Sequence, residues 1–146
     1  MKEVKFRCGK LITAALSALV LSVLFIFGQN ALAATYPEDT VGGITYSIRQ
    51  YNSGEYYATV IGYTDELPAD VVIPESYSGE INSVTYTDVP VASIAESAFS
   101  GNTAITSVVI PSSVTSIGNN AFYKCTGLAG IELGTGITTI GSRAFS

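Results

Sequence analysis

Cys125 is the residue best suited to nucleophilic chemistry, and it lacks the partners that chemistry needs. A thiolate nucleophile requires a base and an electropositive setting. The sequence contains no His, and the one nearby cation is Lys124. A His general base, His metal ligands and a Ser-His-Asp arrangement are excluded on the same ground. Asn102 stands 23 residues before Cys125. A Cys and an Asn at matching positions read as a buried ladder that satisfies backbone groups. Asp65, Glu66, Asp70 and Glu75 form a loose acidic cluster without the Asp-x-Asp-x-Asp-Gly spacing of a calcium loop. It reads as a solvated loop. Two carboxylates suffice for a glycosidase, but nothing places two of these across a cleft. No catalytic residue, metal or cofactor is expected, and a carbohydrate-active enzyme or glycan-binding accessory module is the minor alternative.

The elements behind these residues follow a fixed period. Ser93-Ile94-Ala95-Glu96-Ser97-Ala98-Phe99 returns as Ser116-Ile117-Gly118-Asn119-Asn120-Ala121-Phe122 and as Thr139-Ile140-Gly141-Ser142-Arg143-Ala144-Phe145, each step 23 residues. A period of this length marks a solenoid. Within one coil Ile105, Val108, Ile110, Val114, Ile117, Ala121 and Phe122 are the apolar positions. Val108 and Ile110, two apart, belong to one face of a short strand, with Val109 on the other. Pro111 is expected to end that strand at a sheet edge. Gly118 and Gly141 are expected to supply a sharp turn, and the stretch from Asn119 to Phe122 one helical turn.

Before the repeats, Ile44–Gln50 and Tyr56–Tyr63 flank the turn Asn52-Ser53-Gly54-Glu55 and read as a β-hairpin. Val71-Val72-Ile73-Pro74 matches Val108-Val109-Ile110-Pro111, so a repeat strand is expected there too. The stretch from Glu75 to Pro90 reads as a loop or second hairpin inserted into this first coil. Eight of the nine Tyr precede residue 90. Their concentration suits hairpin packing or an interface.

The first 33 residues read as a signal peptide outside the fold. Lys2, Lys5, Arg7 and Lys10 precede an uncharged apolar run, Leu11 to Phe27, and Ala31-Leu32-Ala33 supplies the small residues for cleavage between Ala33 and Ala34. The chain is thus expected outside the cell, with membrane contact only during export. Residues 34–146 hold three basic side chains, Arg49, Lys124 and Arg143, and eleven acids, a net charge of −8. That surface repels phosphate backbones, so nucleic acid is not an expected partner. With one Cys in this stretch, packing and not an intrachain disulfide must hold the fold.

The pattern Ile105-x-x-Val108-x-Ile110-Pro111-x-x-Val114-x-x-Ile117-Gly118-x-x-Ala121-Phe122-x-x-Cys125 resembles the 23-residue leucine-rich repeat of the bacterial BspA-like family. The likeness is tight over 102–146 and looser back to about residue 44. Asn102 in place of Cys125, and Gly134 in place of Pro111, depart from the pattern. The resemblance implies a secreted or cell-surface protein that binds an extracellular protein or glycan, in adhesion-type contacts, and it carries no catalytic residues. The expected fold is a leucine-rich repeat solenoid of short strands and short helical turns behind an N-terminal hairpin cap. Its divisions are 1–33 signal, 34–43 linker, 44–93 cap and irregular first coil, and 94–146 repeats, the last incomplete.

Solenoids bind along the strand face. The outward positions here are Val72, Val109 and Glu132, flanked by Thr106, Ser107, Ala129 and Gly130. Three short strands fall below the usual area of a stable interface unless the hairpin adds to it. Ser146 falls partway through a coil, so Ile140, Ala144 and Phe145 are expected to lack a covering layer. That suggests either a fragment of a longer repeat protein without independent function or self-association through the uncapped last coil.

Overall fold

The computed structural model describes residues 36–146 and two short paired strands near the N-terminus, β1 (Val4–Lys5) and β2 (Leu11–Ile12). The cleavage point Ala33–Ala34 and most of the expected signal lie outside the described residues. Ten further strands follow: β3 (Glu38–Val41), β4 (Ile44–Gln50), β5 (Tyr56–Tyr63), β6 (Asp70–Val72), β7 (Ser76–Ile81), β8 (Val84–Ile94), β9 (Ser107–Ile110), β10 (Ser116–Ile117), β11 (Gly130–Leu133) and β12 (Thr139–Ile140).

Each coil contributes one strand to each of two parallel ladders. β6, β9 and β11 form a three-stranded sheet in which Val71, Val108 and Ile131 share a register position. β8, β10 and β12 pair with Ile94, Ile117 and Ile140 in register. The apolar residues of both ladders enclose one core, where Val108, Ile110, Val114, Ile117, Ala121 and Phe122 are fully buried. The second ladder continues into the N-terminal strands: β5 lies parallel to β8, then β4 and β3 follow antiparallel.

The 34–43 segment is therefore not simply a linker. β3 lies within it, paired to β4 through a Gly42–Gly43 turn with φ of 60° and 78°. Only residues tolerant of the left-handed region close such a two-residue hairpin. Tyr77 on β7 donates to Asp39 of β3 at 2.6 Å and fastens the strand. The inserted stretch is a second hairpin, β7–β8, closed by Asn82 and Ser83 with φ of 52° and 63°. β8 then runs on from this hairpin into the parallel ladder, pairing with β7 through its first half and with β5 and β10 through Val91–Ile94.

The expected helical turn is absent, and no element of the described residues is helical. Ser97, Asn120, Lys124 and Arg143 have φ between 53° and 59°, which interrupts any helix. Alternate backbone donors go to the next coil, while Ala98, Ser100 and Asn102 close turns on the carbonyls of Ala95, Ser97 and Phe99 in their own coil. Ser97, Phe99 and Gly101 donate to the carbonyls of Asn119, Ala121 and Tyr123, and Asn120, Phe122 and Lys124 donate to those of Ser142, Ala144 and Ser146. The turns thus form a third inter-coil ladder, beside which Tyr63, Phe99, Phe122 and Phe145 stack at centroid spacings of 6.0, 4.9 and 5.3 Å.

Two other expectations change in their reason. Pro111 follows β9, which is the central strand of its sheet and not an edge; the Pro lies beyond the last ladder pair, so its missing N–H costs nothing there. Gly118 has no positive φ. A Cβ at this position would stand 2.6 Å from the Ala95 carbonyl carbon and against Glu96, and one at Gly141 would meet Gly118 and Asn119 in the same way. Glycine is needed because coils stack backbone to backbone. Gly118→Ala should therefore destabilise the chain by about 2 kcal/mol or more, read as a lower urea midpoint, whereas a turn that needed only flexibility would lose less than about 1 kcal/mol.

Candidate binding surfaces

The three-stranded sheet presents the residues expected to bind. Val72, Val109 and Glu132 are cross-strand partners in one row. Their neighbours Val71 and Val108 are buried, so alternation turns this row outward. Val72 is 64% exposed, Glu132 is exposed and Val109 is half-buried. Thr106 and Ser107 stand at the strand entry, where both hydroxyls donate to Asp70 Oδ1, at 2.9 and 2.6 Å. The Ser107 bond first, and the Thr106 bond second, hold the Asp70 carboxyl below the usual carboxylate range. Asp70 is thereby drawn out of the expected acidic cluster and into the sheet. Among the described residues no group of His, Cys, Asp and Glu could hold a metal.

Cys125 is buried and donates to the Phe99 carbonyl at 3.1 Å. Asn102, at the matching position, accepts at Oδ1 from the amides of Ala104 and Ile105, at 2.9 and 3.1 Å. Both side chains satisfy backbone groups where one coil turns into the next. Burial pushes the Cys125 thiol up, so little thiolate forms near neutrality.

A second surface escaped the sequence reading. On the outer face of the large sheet, Arg49, Tyr57, Thr59, Ser93, Ser116 and Thr139 line an open groove of 460 Å³. The signal for it lay in the repeat, because Ser93, Ser116 and Thr139 occupy the same position of the 23-residue period. The Tyr residues divide between the two roles considered for them. Tyr46, Tyr77 and Tyr86 are buried, Tyr36 and Tyr51 are exposed, and Tyr57 is half-buried.

The last coil differs from the one before it. Ile131, Leu133 and Ile140 are 42%, 45% and 48% exposed, while Val108, Ile110 and Ile117, one period earlier, are 1% exposed. Ala144 was expected to lack cover, yet it is buried. It accepts from Phe122 and lies against the coil that precedes it.

Comparison with known proteins fits this geometry. The sequence pattern described as "BspA type Leucine rich repeat region (6 copies)" matches residues 76–146, starting at the β7–β8 hairpin. A leucine-rich repeat protein of Bacteroides capillosus is 34% identical, with a TM-score of 0.61 and 75% of each chain covered. A leucine rich cell surface protein of Faecalibacterium prausnitzii is 29% identical with a TM-score of 0.57 over 74% of this chain. A leucine-rich repeat protein of Bacteroides ovatus is also 29% identical, with a TM-score of 0.60 over 74% of this chain. The chain spans about a quarter of these last two, 27% and 26% of their lengths. No curated protein matches. The chain belongs to the BspA-type leucine-rich repeat proteins. Such repeats are generally binding modules and not catalysts.

Native Cys125 should accordingly react with iodoacetamide at least tenfold more slowly than a free thiol peptide at pH 8, and at the peptide rate once unfolded in urea. Rapid alkylation of the folded chain would refute its burial.

Proposed function

We propose that this chain is a non-catalytic binding protein displayed outside the cell, recognising a protein partner in adhesion-type contacts through the outward face of β6, β9 and β11. The observation that carries the reading is the in-register row Val72–Val109–Glu132, which sets exposed apolar surface beside a charge on a rigid sheet. Apolar side chains supply desolvation at the centre of such a contact, and Glu132, Thr106 and Ser107 supply polar contacts at its rim. Extracellular placement is supported by the surface description of the Faecalibacterium prausnitzii neighbour and by the signal-like N-terminus. The hairpins β3–β4–β5 cover one end of the stack in the manner of a cap. Surface proteins from co-cultured cells, captured on the immobilised chain, test the face. Val109→Lys with Glu132→Lys should reduce retention of the captured partner at least tenfold, and unchanged retention would move the site elsewhere.

A second reading is favoured by the exposed Ile131, Leu133 and Ile140. These residues stand where an added coil would bury them, and a second copy of this chain can supply apolar cover there. Light scattering should then show a dimer that Ile131→Glu with Leu133→Glu returns to monomer. A monomer at all concentrations would leave this edge out of association.

A further inference from the structure

Five hydroxyl-bearing residues form one cross-strand row on the large sheet; Ser47 and Thr59 are buried, Ser93 and Ser116 are half-buried and Thr139 is exposed. Ser47, Thr59, Ser93, Ser116 and Thr139 are successive cross-strand partners on β4, β5, β8, β10 and β12. Ile94 and Ile117, one residue further along β8 and β10, are buried, so their hydroxyl neighbours face away from the core. Strands in a sheet lie about 4.8 Å apart, and the backbone positions that carry the hydroxyls recur at that interval. Thr59 Oγ1 and Ser93 Oγ share a hydrogen bond of 2.8 Å, which leaves the half-buried Ser93 with further capacity. Four of the five, from Thr59 to Thr139, line the 460 Å³ groove, together with Arg49, Tyr57, Glu96 and Asn119.

One end of this groove is aromatic and cationic. Arg49 stands opposite Tyr57 in the β4–β5 ladder, with its guanidinium carbon 4.7 Å from the Tyr36 ring centre. Its Nε is buried and has no hydrogen-bond partner among the described residues. A buried donor without an acceptor is costly, most of all on a charged group, and the guanidinium as a whole brings a positive charge to the groove lining. Tyr57 stacks on the exposed Tyr51 at 4.2 Å, forming an aromatic platform beside the cation.

We propose that this groove binds an acidic oligosaccharide. A sugar carboxylate is held by Arg49, a ring lies against the Tyr51–Tyr57 pair, and sugar hydroxyls bond along Ser93, Ser116 and Thr139, with the buried Thr59 holding Ser93 in place. Sugar hydroxyls both donate and accept, as Ser and Thr do, so either partner can serve in each bond. A peptide suits the groove less well. Peptides gain their main-chain bonds at a free strand edge; β12 is the one edge strand among the groove strands, whereas β5, β8 and β10, which carry the centre of the groove, are paired on both sides. Glu96, in the groove lining, is placed to accept from sugar hydroxyls. The site uses a different sheet from the Val72–Val109–Glu132 face, so it stands or falls separately from that reading.

Calorimetric titration of the purified full chain with galacturonate, mannuronate and glucuronate oligomers tests the proposal, with neutral oligomers of equal length alongside. At least one acidic oligomer should bind, and its neutral counterpart should bind at least tenfold more weakly. Arg49→Met should weaken binding at least tenfold and Arg49→Lys several-fold, since Lys keeps the charge and loses the planar fork. Thr139→Ala, at an exposed position, should weaken it about threefold and remains informative if Arg49→Met does not fold. Val109→Lys should leave it unchanged. The proposal is overturned if no acidic oligomer binds, if neutral oligomers bind equally well, if the folded Arg49 and Thr139 variants bind like the parent chain, or if poly-glutamate binds more tightly than every uronate.

Discussion

The stacking of one coil's backbone on the next is the constraint from which the rest of the structure follows. A 23-residue coil closes few hydrogen bonds within itself. Its strand amides and alternate turn amides are satisfied across the gap, by two strand ladders and by the turn ladder in which Phe99 donates to Ala121 and Phe122 to Ala144. The same translation sets Phe99, Phe122 and Phe145 in parallel planes within 8° of one another. Such ring pairs add about 0.5–1.5 kcal/mol each beyond their burial. Close approach then dictates small residues. At Gly118 and Gly141 there is no room for a Cβ, whatever the local dihedrals allow.

A stack needs a first layer, and here antiparallel hairpins imitate a coil. β5 offers the Val60 carbonyl to Ala95, and Thr59 meets Ser93, in the places that a preceding repeat would occupy. Tyr63 extends the Phe column into this layer. Ala95 stands where later coils have Gly118 and Gly141. β5 thus presents to β8 the ladder that β8 presents to β10. The β3 strand and the β7–β8 hairpin are in turn joined by the Tyr77–Asp39 hydrogen bond, with burial first and that bond second pushing the Tyr77 hydroxyl well above its ordinary value.

Both surfaces described above are by-products of this arrangement. Alternation along each short strand sends one residue inward and its neighbour outward, so a period that repeats the core also repeats the surface. On the small sheet the outward residues vary from Val72 to Val109 to Glu132. On the large sheet they remain hydroxyl-bearing from Ser93 to Thr139, and the hairpin β4–β5 places Arg49 and Tyr57 at one end. Variation suits recognition of one irregular partner, whereas constancy suits a ligand that itself repeats.

The sequence by itself determined the period, the inward positions, the hairpin at Ile44–Tyr63 and the structural use of Cys125 and Asn102. Each rests on local pattern: spacing by two within strands, by 23 between coils, and turn residues between Tyr-rich runs. It also held a legible signal for β3, because Gly42-Gly43 between Val41 and Ile44 is hairpin chemistry, although Glu38 and Asp39 disguise the strand. Only the tertiary structure decided the rest. The turns from Asn119 to Phe122 could have been helical until the next coil claimed their amides. Gly118 could have served a turn until Ala95 and Glu96 were seen against it. Arg49 is 90 residues from Thr139 in the chain, and no local pattern relates them. The parallel ladder through β5, β8, β10 and β12 brings both to one groove, because pairing register, and not chain distance, sets which side chains share a face.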